Sequence, residues 1–134
     1  MADRGGWYAY DRLDNWRSRS ADRIIPEFQT LATATLMPSV PGATDGFFVL
    51  GHEPECFLVL GWVPSANRPP LVTWAFGLAE PEPGCTRLIV RARAGRDYRF
   101  FGLPVWLSRR VARWAHFVMQ RKQLLGIARR AEAG

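Results

Sequence analysis

The sequence predicts an α+β domain, a curved antiparallel sheet wrapped around one long C-terminal helix. Three observations predict it. Two segments alternate with period two: Val72, Trp74, Phe76 and Leu78 are bulky against the small Thr73, Ala75 and Gly77, and Leu88, Val90 and Ala92 oppose Arg87, Arg91 and Arg93, with Ile89 the exception. Residues 104–130 repeat at helical spacing instead, with Leu107, Val111, Trp114, Val118 and Leu125 within about 40° of one line at roughly 100° per residue. The same helix carries the whole net charge of +6, since Arg109, Arg110, Arg113, Arg121, Lys122, Arg129 and Arg130 stand against Glu132 alone, while eleven arginines and eleven acids cancel upstream.

The elements follow in order. Gly6-Trp7-Tyr8-Ala9-Tyr10 reads as a short aromatic strand, ended by Asp11 and a polar stretch. Ser20 is placed to cap a short helix reaching Gln29, its hydroxyl accepting the amides at Asp22 or Arg23, and Pro26 interrupts that helix. Residues 31–37 form a weak strand closed by Pro38 and Pro41-Gly42. Residues 47–51 and 56–61 form a hairpin turned by Glu53-Pro54-Glu55, and their few polar interruptions predict two covered faces. A proline-rich loop, 64–70, leads to the strand starting at Val72, and Glu80-Pro81-Glu82-Pro83-Gly84 is the loop that turns it back. After the connection 95–102, Pro104 suits the first helical turn, where its missing amide costs nothing. The helix spans about 40 Å at 1.5 Å per residue. Gly126 weakens it by about 1 kcal/mol relative to alanine and predicts a slight bend.

Composition bounds the class. A chain of 134 residues, 48% hydrophobic with mixed charge, makes one globular domain, residues 1–134. No apolar run approaches the roughly 20 residues of a membrane span, and the N-terminus has no apolar signal core, so a cytoplasmic location is expected. Cys56 and Cys85 share no CxxC spacing and are expected to be unpaired thiols packed as small apolar groups. Lys122 is the single lysine among 18 basic residues, a bias that GC-rich codon usage explains better than anion recognition, because the arginines are scattered through the sheet region too.

Four segments together resemble the START/SRPBCC superfamily, the helix-grip fold of polyketide cyclase/dehydrase-like and lipid-transfer-like proteins. They are residues 6–11 with Asp14-Asn15, residues 20–24, Thr86-Arg87-Leu88-Ile89-Val90-Arg91-Ala92-Arg93, and residues 116–127. Their order and spacing are similar to an uncharacterised bacterial branch. The resemblance implies a helix-grip domain lacking the first strand and first two helices, because such proteins carry about 40 further residues before the aromatic strand. Gln120 also stands where the resemblance implies an acid. The missing strand normally pairs with the strand of Arg87, Arg91 and Arg93. An open edge at that strand is therefore expected, with a marginally stable monomer or weak homodimer through it and better stability with the upstream residues restored.

A sheet closed by a helix makes a cavity, lined here by Trp7, Phe47, Trp74, Phe76, Trp114 and Val118, with Arg121 at the mouth for an anionic group. The expected function is non-enzymatic binding of a small apolar or amphipathic ligand, lipid- or polyketide-like. A cyclase or dehydratase is the alternative by resemblance, and a structural or interaction module with a filled core is the third reading. No catalytic residue is assigned. His52, beside Glu53 and Glu55, and His116, on the polar side of the helix, read as ordinary histidines without metal-ligand spacing or a nucleophile. Asp11, Asp14 and Asp22 with Arg12, Arg17 and Arg23 read as surface ion pairs. No cofactor, metal, nucleic acid partner or stable membrane insertion is expected, and the dispersed helix cations read as a solvated face. Docking of the apolar stripe predicts that Trp114→Ala costs several kcal/mol.

Overall fold

A computed structural model describes residues 6, 10, 12, 19–23, 25–28, 30–39, 43–63, 69–96, 98–99 and 102–133. They belong to two compact units, one built on Leu31–Pro38 and Thr44–Tyr98, the other on Asp3–Thr30 and Arg99–Gly134.

The first unit is a five-stranded antiparallel sheet: β1 (Leu36–Pro38), β2 (Gly46–Glu53), β3 (Phe57–Trp62), β4 (Val72–Glu82) and β5 (Cys85–Ala94). Each strand pairs with the next in sequence, giving the order β1-β2-β3-β4-β5. Between β2 and β3 the amide of Cys56 donates to the Glu53 carbonyl at 3.1 Å, and Glu55 takes the left-handed conformation, φ 61°. Between β4 and β5 the expected five-residue loop contracts to Pro83 and Gly84. Gly84 has φ 76°, and its amide donates to Oε1 of Glu80 at 3.0 Å. Glu80 and Pro81 stay in β4 because the ladder is irregular between Ala79 and Glu82, so the proline owes it no amide. β1 starts later than the expected Leu31, since Ala34 adopts φ 66° and holds a turn there.

The register sorts the strands into two faces. One carries Phe47, Val49, His52, Leu58, Leu60, Trp62, Val72, Trp74, Phe76, Leu88 and Val90. At its centre Val49 and Leu60 are directly opposite, and they are 0% and 2% exposed. The other face carries Phe48, Val59, Gly61, Thr73, Ala75, Arg87, Arg91 and Arg93. A Cβ at Gly61 would meet Leu50 Cδ1 at 2.5 Å, so the Leu50 side chain lies across that glycine and would have to shift for any other residue. The hairpin was expected to be covered on both faces, yet Phe57 and Leu50 are exposed.

The second unit contains α1 (Val105–Ala133), 29 residues long. The Pro104 carbonyl accepts from the amides of Leu107 at 3.0 Å and Ser108 at 2.8 Å, so the proline stands immediately before the first turn. Ser108 Oγ donates to the Leu103 carbonyl at 2.8 Å. Near the other end, Nε of Arg129 donates to the Leu125 carbonyl at 3.2 Å, and Nη1 of Arg130 to that of Gly126 at 2.8 Å. Cations near helix C-terminal carbonyls are favourable in the field of the helix dipole. The helix continues through Gly126 to Ala133.

The apolar line read from the sequence is not the covered side of α1. Trp114 is 72% exposed, and Val111, Val118 and Leu125 are exposed with it. The covered side is formed by Ser108, Ala112, Ala115, Met119, Gln123, Gly126 and Arg130. On this side Nε of Arg130 donates to the Ala21 carbonyl at 2.6 Å. Lys122 Nζ sits 4.0 Å from the centre of the Tyr10 ring, a cation–π contact worth about 0.5–1 kcal/mol when exposed. Periodicity marks where the apolar residues lie, and packing partners decide which side is covered.

Smaller differences concern the ends of the sequence reading. Where a helix was expected from Ser20, the described residues hold one 3-10 turn, Pro26–Phe28, closed by the Phe28 amide on the Ile25 carbonyl at 3.0 Å. The expected strand at Gly6 to Tyr10 falls on Trp7, Tyr8 and Ala9, which lie outside the described residues. Cys56 and Cys85 are free, as expected, but exposed rather than packed, because both flank tight turns at the ends of strands. Among the described residues β5 is an edge strand of the sheet, the position that the resemblance implied for it.

These exposures set the expected stability effects. Leu60→Ala is expected to lower the unfolding free energy by about 2–5 kcal/mol in urea titrations, whereas Trp114→Ala, at an exposed site, stays within about 0.5 kcal/mol of the parent.

Candidate functional site: the aromatic face of the sheet

Alternation along β4 puts Trp74 and Phe76 on one face, and the antiparallel register brings Phe47 and Trp62 beside them. The ring centroids of Phe47 and Trp62 are 5.5 Å apart and nearly perpendicular at 82°. Phe47 and Trp74 are 5.8 Å apart, and Trp74 and Phe76 5.0 Å. These separations fall in the range where edge-to-face and tilted aromatic pairs attract. All four rings are half-buried, so the cluster has an apolar surface left to offer.

His52 belongs to this face, and its place is owed to an irregularity. Simple alternation from Phe47 and Val49 would put residue 52 on the opposite side with Phe48. The register shifts between Val49 and Gly51, so Leu50 is an extra residue and the strand is re-phased by one. His52 therefore pairs with Leu58, in the row that continues through Phe76 and Val90. Its Nδ1 is buried and has no hydrogen-bond partner among the described residues. A buried polar atom left unpaired costs about 1–3 kcal/mol, which a ligand bearing a complementary group would recover.

Of the residues expected to line a ligand cavity, Phe47, Trp74 and Phe76 are brought together on this face. Trp7 lies outside the described residues. Trp114, Val118 and Arg121 share the exposed side of α1, in the second unit. Trp114 meets Phe117 edge-on at 6.5 Å. Arg121 borders a shallow, open and largely apolar groove of about 350 Å³, lined also by Phe117, Gln120, Leu124 and Leu125. Trp62 and His52 were missed. Trp62 directly follows a strand read as ending at Gly61, and its place opposite Phe47 needs the register. His52 needs the bulge.

His116 lies on the covered side of α1. Burial drives its pKa below the ordinary histidine value, partly opposed by a hydrogen bond with the Gln120 side chain. Among the described residues, no group of three or more His, Cys, Asp or Glu side chains is placed to hold a metal ion. No described helix is long and apolar enough to cross a membrane.

Comparison with protein-family models, with curated proteins and with solved structures gave no match.

The His116 environment has a consequence for stability. Its folded-state pKa is lowered, so in the window below the ordinary value of about 6.5 the unfolded chain binds the proton more readily. His116 therefore costs nothing at neutral pH, and stability declines as pH falls through that window until the folded-state ring is also protonated. Denaturant titrations from about pH 7.5 to pH 5 are expected to show a shallower decline for His116→Gln than for the parent chain.

Proposed function

We propose that this protein binds, without catalysis, a small apolar or amphipathic molecule, lipid- or polyketide-like, on the aromatic face of its sheet. The observation that carries the reading is His52. One buried imidazole nitrogen, without a partner among the described residues, sits in a row with Leu58, Phe76 and Val90, beside the ring cluster of Phe47, Trp62 and Trp74. Apolar walls with few polar groups are the usual make-up of small-molecule sites, the apolar part supplying affinity and the polar part orientation. The ligand that fits has a flat or elongated apolar body for the rings and a hydroxyl or acid for His52.

The resemblance of four segments to the START/SRPBCC superfamily supports the same reading, since an antiparallel sheet followed by a long C-terminal helix accords with it. Function is still argued from the site rather than from architecture.

Tryptophan fluorescence tests the proposal, because Trp62 and Trp74 lie in the site. Titration with 1-naphthol and with naphthalene is expected to quench the parent protein, with naphthol preferred about tenfold, the equivalent of one hydrogen bond of roughly 1.4 kcal/mol. His52→Leu is expected to keep naphthalene binding and lose the preference, and Phe76→Ala to weaken both. Equal binding of the two compounds by parent and His52→Leu would remove His52 from the site.

A further inference from the structure

The two edges of the sheet are unlike. β1 is three residues long and ends in Pro38, which makes it a poor template for another strand. β5 is ten residues long, and among the described residues it pairs only with β4. Among the described residues no strand pairs with its outer row of amides and carbonyls. Its side chains are sorted by the pleat. Leu88, Val90 and Ala92 continue the aromatic face, in register with Leu78, Phe76 and Trp74, and Arg87, Arg91 and Arg93 stand on the other face with Ile89 among them. The three arginines are exposed, and Ile89 is 54% exposed. An isolated exposed isoleucine between arginines is a place where another side chain can pack.

The obvious occupant, a second copy of β5, is opposed by this charge pattern. A two-fold axis through Ile89 sets Leu88 against Val90 of the copy and Arg87 against Arg91. An axis through Val90 sets Leu88 against Ala92 and Arg87 against Arg93. Both registers keep most of the strand paired, and by symmetry each places two like-charged pairs directly opposite, where cross-strand neighbours are about 4.5–5.5 Å apart and like charges destabilise. The arginines thus discourage the self-pairing that the open backbone invites, as edge charges do.

We propose that the β5 edge is a docking strand for an extended segment of another protein that alternates apolar and acidic residues. Such a segment completes the backbone ladder, sets its carboxylates opposite Arg87, Arg91 and Arg93, and lays its apolar residues beside Leu88 and Val90, widening the aromatic face by one strand. Backbone hydrogen bonds supply the register-independent part of this recognition and alternate side chains the specificity. The inference stands on the edge and its charges and does not depend on the ligand proposed above.

The test uses fluorescein-labelled synthetic peptides of about nine residues that alternate valine with glutamate or valine with lysine, read by anisotropy against the full chain. The glutamate peptide is expected to bind at least about tenfold tighter than the lysine peptide, from three charge pairs at the strength of cross-strand pairs. N-methylation of alternate backbone amides on the pairing side is expected to abolish binding. The triple variant Arg87→Glu, Arg91→Glu, Arg93→Glu is expected to reverse the preference while melting with the parent, since the replaced side chains are exposed. Equal binding of the two peptides, or binding that survives undiminished when each of the two sets of alternate amides is N-methylated in turn, would overturn the proposal. So would sedimentation of the parent chain as a dimer that the triple variant fails to form.

Discussion

The opposed pair of Val49 on β2 and Leu60 on β3 holds the sheet's apolar face together. Among the described residues these are the buried hydrophobic side chains, and they face each other across the β2–β3 ladder, with Trp74 of β4 next to Leu60. Every aromatic ring of the face is placed relative to them. Trp74 follows Leu60 in the same cross-strand row, while Phe47 with Trp62 and Phe76 with Leu58 occupy the rows on either side. A core this small makes the surrounding rings partners in stability as well as in binding. Their mutual edge-on and tilted contacts add roughly 0.5–1.5 kcal/mol per pair beyond the area they bury.

The irregularity beside Val49 gives that face its chemistry. Had β2 kept strict alternation, the face would be wholly apolar and His52 would stand among the polar residues of the other side. One extra residue at Leu50 moves the imidazole into the aromatic row, and Gly61 supplies the space into which the displaced Leu50 side chain folds. The bulge and the glycine are therefore a matched pair across β2 and β3. Bulges commonly re-aim side chains at functional places, and here the re-aimed side chain is the one polar, titratable group in the row.

In the other unit, α1 separates its apolar and its covered sides. Ser108, Gln123 and Gly126 are buried, while Trp106, Trp114 and Phe117 are exposed. Ser108 Oγ donates to the Leu103 carbonyl and Arg130 Nε to the Ala21 carbonyl on that side. Burial on that side also explains why His116 favours its neutral form.

Period-two alternation in β4 and β5, the turn chemistry of Glu53-Pro54-Glu55 and Pro83-Gly84, and Pro104 before a 3.6-residue repeat together determined the α+β class, the clearest strands and the start of α1. These are local properties, because side-chain direction in a strand and amide loss at proline follow from the covalent chain alone. The association of Phe47, Trp74 and Phe76 was legible for the same reason. The tertiary structure alone decided the rest. A bulge is invisible to alternation until its partner strand fixes the count, so His52 was assigned to no site. The covered side of α1 was misread from its apolar line, since periodicity reports where apolar residues lie and only packing partners decide which side is covered.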